Sequence, residues 1–128
     1  MYITINTKSR IEIVDITNEV EGIVKNSGIE DGIALVYTRH TTTALIINEA
    51  ESGLLDDILN IIQKIVPQES YKHNRIDNNA DAHLRATLLG NSVVIPVANK
   101  RLELGTWQRV LFVELDGPRT RKVLVKVV

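Results

Sequence analysis

Three histidines are the side chains of this sequence best suited to metal or acid–base chemistry: His40, His73 and His83. The first follows an apolar segment, the second lies in a polar loop, and the third lies in a helical pattern beside Asp81. If the three converge, they form a three-histidine site with open positions for water or substrate, as in catalytic zinc centres. Asp77 or Asp81 could then orient the imidazole rings by hydrogen bonding. The alternative is three unrelated histidines, each bonded to backbone or water.

An arginine in the segment DGPRTR (residues 116–121) is the candidate for anion binding. Asp116, Gly117 and Pro118 are typical of a turn, and such a turn would present Arg119. A guanidinium group binds phosphate or carboxylate through two parallel hydrogen bonds. The alternative is a turn with solvated charges.

The remaining candidates are carboxylates and one aromatic side chain. Glu49 follows Asn48 at the start of a predicted helix, where a carboxylate complements the helix dipole, and Asp77 fits a helix N-cap. Both therefore have a structural explanation as well as a chemical one. Trp107, the only tryptophan, is expected in the core, because burying its large side chain is favourable.

The elements that must position these residues can be predicted from hydrophobic periodicity. Alternating or continuous apolar runs predict about seven strands, at residues 1–6, 10–16, 33–38, 44–47, 93–97, 109–115 and 121–128. The first two strands are expected to form an antiparallel hairpin. Two main helices are predicted, one capped by Asn48 and ending before Pro67, the other running from the DNNADA segment to Gly90. A short helix is predicted at residues 18–25.

These elements predict an α+β fold in a single domain spanning residues 1–128, with a mainly antiparallel sheet. Strands joined mostly by short turns favour this arrangement over alternating βαβ units. Seven strands leave sheet edges that need cover, which a homo-oligomer would provide.

Composition removes several classes of function. The 128 residues carry a net charge of −1 and no cysteine, which argues against a nonspecific nucleic-acid binder and excludes thiolate chemistry. No apolar run approaches 18 residues and no secretory signal begins the chain, so neither a membrane span nor export is expected. The expected location is the cytoplasm.

Four motifs in order resemble the YjbQ family, also called UPF0047: HTTTALIINEAESGLLDD, DNNADAHLRATLLGNS, LELGTWQRV and ELDGPRTRKV. The resemblance runs from about residue 8 to the C-terminus. It implies a small α+β domain that assembles as a trimer, and an auxiliary thiamine-phosphate synthase activity. That reaction joins a pyrimidine diphosphate to a thiazole phosphate and releases pyrophosphate. One departure is Lys100, which stands where the family pattern has glycine.

The resemblance, position by position, implies a site for a small anionic metabolite. It implies a divalent metal, zinc or magnesium, held by His40, His73 and His83. It implies catalytic roles for Glu49, Asp77 and Arg119. Substrate-binding roles fall on Thr41, Asn48, Asp57, Asn78, Trp107 and Gln108. The alternatives are a non-enzymatic trimeric protein that binds metal or a metabolite, and a metal-dependent hydrolase of a small anionic substrate. Neither nucleic acid nor a membrane is an expected partner.

Overall fold

A computed structural model describes all 128 residues, as eight strands and three α-helices. The strands are β1 (Tyr2–Asn6), β2 (Glu12–Asp15), β3 (Asp31–Thr38), β4 (Thr43–Asn48), β5 (Ser92–Ala98), β6 (Arg101–Leu102), β7 (Arg109–Glu114) and β8 (Thr120–Val127). The helices are α1 (Thr17–Ser27), α2 (Ser52–Ile65) and α3 (Ala80–Leu89), with a short 3₁₀ helix at Lys72–Arg75. None of these helices has the length and hydrophobicity of a membrane-spanning helix.

Two antiparallel sheets confirm the predicted α+β class. One sheet has the order β1-β8-β3-β5-β6 and the other the order β2-β7-β4. The main core combines the inward residues of both sheets with α1, for example Val36, Phe112 and Val20, none of which has exposed surface. A smaller core lies where α3 packs on the three-stranded sheet. Ala82 and Ala86 let that helix approach closely, because their side chains are small.

The expected hairpin between the first two strands is wrong. β1 pairs with β8, whereas β2 pairs with β7 in the other sheet. The separation occurs at Thr7, whose backbone N–H bonds to the carbonyl of Arg119 and whose hydroxyl donates to Glu114 at 2.7 Å. Strand periodicity specifies which face is buried and does not specify the partner strand.

The helix caps differ from the sequence prediction. α2 begins at Ser52, and Glu51, rather than Asn48, is its N-cap, accepting hydrogen bonds from the N–H groups of Gly53 (2.6 Å) and Leu54 (2.9 Å). These bonds lower the pKa of Glu51. For α3, the side chain of Asn74 accepts from the first helical N–H, that of Ala80, at 3.0 Å.

Lys100 occupies a strained position in the turn between β5 and β6. Asn99 and Lys100 have φ angles of 52° and 62°, and Ala98 pairs with Arg101 on either side of them. A two-residue hairpin turn with both φ angles positive favours Asn-Gly. The second position therefore carries the side chain of lysine where glycine would be unstrained.

Replacing Lys100 with glycine should raise the free energy of unfolding by about 0.5–1 kcal/mol. Relief of about 1–2 kcal/mol of backbone strain is offset in part by the greater freedom of glycine in the unfolded chain. Thermal melting should show a rise in Tm of about 1–4 °C. The matched control is Asn99→Gly, whose gain should be smaller because asparagine tolerates positive φ. A lower Tm for Lys100→Gly would contradict this account of the turn.

Candidate functional site

His73 and His83 are in contact, although they come from different elements. Their ring centroids lie 4.7 Å apart with the planes at 80°, an edge-to-face arrangement. The first ring is exposed on the 3₁₀ helix and the second is half-buried on α3. Asn74 links the two elements, because its side chain both caps α3 and donates to the carbonyl of Glu69 at 2.8 Å. The chain thus presents a preformed pair of imidazoles at its surface.

His40 has a different environment. Its Nε2 accepts a hydrogen bond from the backbone N–H of Lys122 at 3.0 Å. Lys122 immediately precedes Val123, the β8 residue that pairs with Thr38 at the end of β3. The imidazole therefore takes the place of a strand carbonyl just beyond the end of β3. Burial and the positive charge of Arg121 lower the pKa of His40, which favours the neutral ring that can accept this bond.

The three histidines consequently do not form the expected cluster within one chain. No group of three or more His, Cys, Asp or Glu side chains is placed to hold a metal ion. His40 and Thr41 instead line a separate cavity of about 260 Å³ with Thr87 and Asn91. Residue spacing could not reveal this, because the hydrogen bond of His40 joins residues 82 positions apart.

Arg119 lies at an exposed corner with Asp116. Its Nε donates to the carbonyl oxygen of Asp116 at 3.0 Å, and its Nη2 lies 3.5 Å from a carboxylate oxygen of the same residue. That carboxylate also accepts from Asn79 at 2.8 Å, and its second oxygen lies 3.8 Å from Nε of Arg10. The guanidinium group is accessible for an anion, but one carboxylate already offsets part of its charge.

Asp77 and Asn78 lie exposed in the segment leading to α3. Neither caps the helix by its side chain, since Asn79 is the N-cap residue and no side-chain cap bond is formed there. Asn78 has φ 53°, which turns the chain sharply before the helix. Beyond this corner, the side-chain oxygen of Asn79 is buried and has no hydrogen-bond partner.

Asp81, which was a candidate for orienting a histidine ring, forms ion pairs with two arginines instead. Its carboxylate lies 3.2 Å from Nη2 of Arg10 and 3.2 Å from Nη1 of Arg85. Burial alone would raise the pKa of Asp81, but hydrogen bonds from Arg10 and the N–H of Ala82, with the positive charges of Arg10 and Arg85, outweigh burial and lower it. Asp81 therefore anchors the start of α3.

Trp107 does not lie in the core as expected. Its side chain is 71% exposed at the tip of a turn. Gln108 closes the turn, because its side-chain oxygen accepts from the N–H of Gly105 at 2.8 Å and its own N–H donates to the carbonyl of Gly105 at 3.1 Å. The tryptophan lines a cavity of about 350 Å³ together with Glu49.

Asn48 and Asp57 complete the predicted set, and both are exposed. Asn48 ends β4 and accepts from the N–H of Glu49 at 2.8 Å. Asp57 lies on α2. The predicted site residues thus occupy several separate places in one chain: the histidine pair with its neighbouring corner, the His40 cavity, and the Trp107 cavity.

The largest cavity, about 750 Å³, was not predicted from the sequence. It lies between α1 and residues 99–109, and Gln108 is the one predicted site residue on its wall. Its basic side chains are Lys25, Lys100, Arg101 and Arg109. Isolated lysines and arginines in a sequence are typical of solvated surface, and only the fold brings these four together.

Comparison with known proteins decides the family. The profile of the family described as "UPF0047 protein YjbQ-like" matches residues 1–128. The chain belongs to the YjbQ family. Its relatives include a UPF0047 protein of Archaeoglobus fulgidus, 61% identical over 127 residues (98% of each chain). Another is the UPF0047 protein YugU of Bacillus subtilis, 40% identical over 124 residues, or 96% of this chain and 94% of that one.

Solved YjbQ-family structures have the same fold. A YbjQ-like protein of Sulfolobus solfataricus P2 superimposes with a TM-score of 0.97 at 47% identity, over 99% of this chain and 94% of the other. A YjbQ/UPF0047 protein of Clostridium acetobutylicum gives 0.95 at 42% identity, over 100% and 99%. The family resemblance and the α+β fold are therefore both confirmed.

Proposed function

We propose that this YjbQ-family chain is a metal-associated cytoplasmic enzyme that acts on a small anionic metabolite. The reaction to test first is the joining of a pyrimidine diphosphate to a thiazole phosphate with release of pyrophosphate. The observation that carries the proposal is the contact between His73 and His83. Two of the three histidines meet at an accessible surface from different elements, so both rings can reach one bound ion or molecule.

The histidine pair suits a metal only if further donors join it. Two imidazoles in contact are close enough to bind one divalent ion, but catalytic zinc sites take three protein ligands. No third histidine or carboxylate completes such a group within the chain. His73 and His83 would therefore supply two ligands, and a second copy or the substrate would supply the rest. A bound divalent ion would stabilise negative charge on a phosphate leaving group.

Arg119 is the side chain of this corner best placed to hold the leaving group. Displacing a diphosphate requires charge stabilisation more than a strong base. The guanidinium is exposed and held by the carbonyl and the carboxylate of Asp116 through Nε and Nη2, which leaves Nη1 available. Asp77 follows the 3₁₀ helix that carries His73, so we assign to its carboxylate the role of orienting the imidazole of His73. We assign Glu49 the role of contacting the ring of a substrate bound in the Trp107 cavity.

A homotrimer is part of the proposal, because the predicted site residues are dispersed within one chain. Its support is apolar surface that the single chain leaves uncovered. Ile61 and Ile65 on α2 are 53% and 60% exposed, and Val94 on the outer face of the larger sheet is 56% exposed. Packing of copies would cover these side chains and could bring separate groups together.

The test compares untagged wild-type protein with His83→Ala and Arg119→Ala. Elemental analysis should find about one divalent ion per chain in the wild type and little in His83→Ala. Thiamine phosphate formation from the two precursors should fall about 100-fold or more in both variants, since each loses charge stabilisation at the leaving group. Light scattering should give three times the 14.3 kDa mass of one chain.

The matched control is Lys126→Gln, an exposed lysine of β8 outside the proposed site. Equal rates in the control, His83→Ala and Arg119→Ala would assign the activity to a contaminant. A metal-free, fully active wild type would remove the metal from the proposal. Metal without turnover of either precursor would favour the non-enzymatic alternative, a metal- or metabolite-binding trimer.

A further inference from the structure

The cavity of about 750 Å³ between α1 and residues 99–109, here called the cationic groove, has the size of a small-molecule site. One wall is the face of α1 that carries Asn18, Gly22 and Lys25. The other wall is the strained turn at Lys100 followed by the segment leading to Gln108. The histidine pair is not among its lining residues, so this groove is a separate feature of the fold.

The groove concentrates positive charge in a chain whose net charge is −1. Four basic side chains line it, against one carboxylate, that of Glu21. Lys25, Lys100 and Arg101 take part in none of the ion pairs of the structure. Three unpaired cations and one carboxylate on a concave surface attract anions more strongly than the same charges spread over the molecule.

The other two charged groups of the groove have internal partners. Glu21 accepts a hydrogen bond from the N–H of Leu102 at 3.3 Å. Arg109 donates from Nε to Asp15 at 2.7 Å and from Nη2 to Asn18 at 3.4 Å. These contacts fix the walls, while the three unpaired cations are available to a ligand.

An aromatic face adjoins the groove. Thr106 and Arg109 line both the cationic groove and the neighbouring cavity that contains Trp107 and Glu49. The indole is held out by the turn that Gln108 closes, and most of its surface is free. A flat ring can stack on such a surface at little entropic expense, since the turn already orients it.

We propose that the cationic groove binds the phosphate or diphosphate group of a small molecule whose aromatic ring stacks on Trp107. Lys25, Lys100 and Arg101 face the phosphate oxygens, and Thr106 lies between the two halves. The ligand is a small molecule rather than a nucleic acid, because the positive charge is confined to one cavity. The ring half of this inference rests on the proposed function, because both use the Trp107 cavity, whereas the phosphate half is separate from the metal and from Arg119 and is tested by binding alone.

The test uses isothermal titration calorimetry with two probes, pyrophosphate and phenyl phosphate. The variant Lys100→Gln with Arg101→Gln should bind both probes at least about 10-fold more weakly, because it removes two of the three unpaired cations. Trp107→Ala should weaken phenyl phosphate about 5-fold or more, the usual effect of a lost stacking partner, and leave pyrophosphate unchanged. Lys126→Gln removes one positive charge outside the groove; it is the control and should bind both probes as the wild type does.

A second variant tests the groove by filling part of its volume with a larger side chain, without changing its charge. A Cβ added at Gly22 meets no atom within 4 Å, and leucine has a higher helix propensity than glycine. Gly22→Leu should therefore fold normally and bind both probes more weakly. The anion site is refuted if pyrophosphate binds the double variant and the control equally. The ring site is refuted if Trp107→Ala leaves phenyl phosphate unaffected or weakens both probes equally.

Discussion

Replacing Arg121 with methionine should lower the free energy of unfolding by about 3–5 kcal/mol at neutral pH, the usual effect of breaking a buried ion pair. Its guanidinium donates to both carboxylate oxygens of Glu114, at 2.9 and 2.6 Å, and to the hydroxyl of Thr42 at 2.9 Å. Glu114 has no exposed surface. Without the arginine, its carboxylate would remain buried with no compensating charge. Urea denaturation followed by circular dichroism measures the loss.

The pH dependence of this variant identifies the cause. Burial alone would raise the pKa of Glu114, but hydrogen bonds from Arg121, Thr7 and the N–H of Asp116 outweigh burial and lower it. The wild-type contribution is therefore complete above the unfolded pKa of a glutamate, about 4.3, and is lost as pH falls through the lower folded pKa. In Arg121→Met the carboxyl can fold protonated, so the deficit should shrink at acid pH.

Adding Glu114→Gln to Arg121→Met supplies the control, because the double variant has no buried charge in this network. It should recover part of the lost free energy. A loss below about 1 kcal/mol in the single variant would show that water or another cation reaches Glu114.

Replacing Asp81 with asparagine is the second change of this size, with an expected loss of about 3–5 kcal/mol. The carboxylate pairs with Arg85, whose side chain is only 3% exposed. The other contact of that guanidinium is a 2.9 Å hydrogen bond from Nε to the carbonyl of Val66. Asparagine keeps the shape of the side chain but leaves Arg85 as a buried, uncompensated charge. Chemical denaturation at neutral pH measures the loss.

The matched control is Asp56→Asn on the exposed face of α2, which should change the free energy of unfolding by no more than about 0.5 kcal/mol. Since the pKa of Asp81 is lowered in the folded chain, its contribution also holds above the unfolded pKa and disappears as pH falls through the folded one. Equal effects of Asp81→Asn and Asp56→Asn would mean that Arg85 finds another partner.

The fold class could be predicted because the spacing of apolar residues in the sequence indicates which segments are strands and which are helices. β8 alternates buried and outward residues, and α2 begins at Ser52, three residues after Glu49. Partner choice is different: β1 and β2 have the pattern of a hairpin, yet Thr7 and its bonds to Glu114 and Arg119 direct them into separate sheets. Periodicity carries no information about such distant side-chain contacts.

The site was less predictable, for three physical reasons. Residue type suggested a buried Trp107, but the turn closed by Gln108 places it outside. Spacing along the chain could not reveal that His73 meets His83 while His40 bonds to Lys122, which lies 82 positions away in sequence. The cations of the largest cavity form no sequence motif, because they come from separate segments that only the folded chain brings together.

The imidazole of His40 gives the larger sheet one hydrogen bond whose acceptor can be protonated. A peptide carbonyl keeps its lone pairs at any pH that a protein tolerates, whereas a protonated imidazole has two donors and no acceptor. The β-ladder at Lys122 therefore has one bond whose acceptor is supplied by a base. Because the pKa of His40 is lowered, the imidazole stays neutral and accepts this bond at neutral pH. Protonation of the ring in acid would break the bond and loosen this end of the sheet.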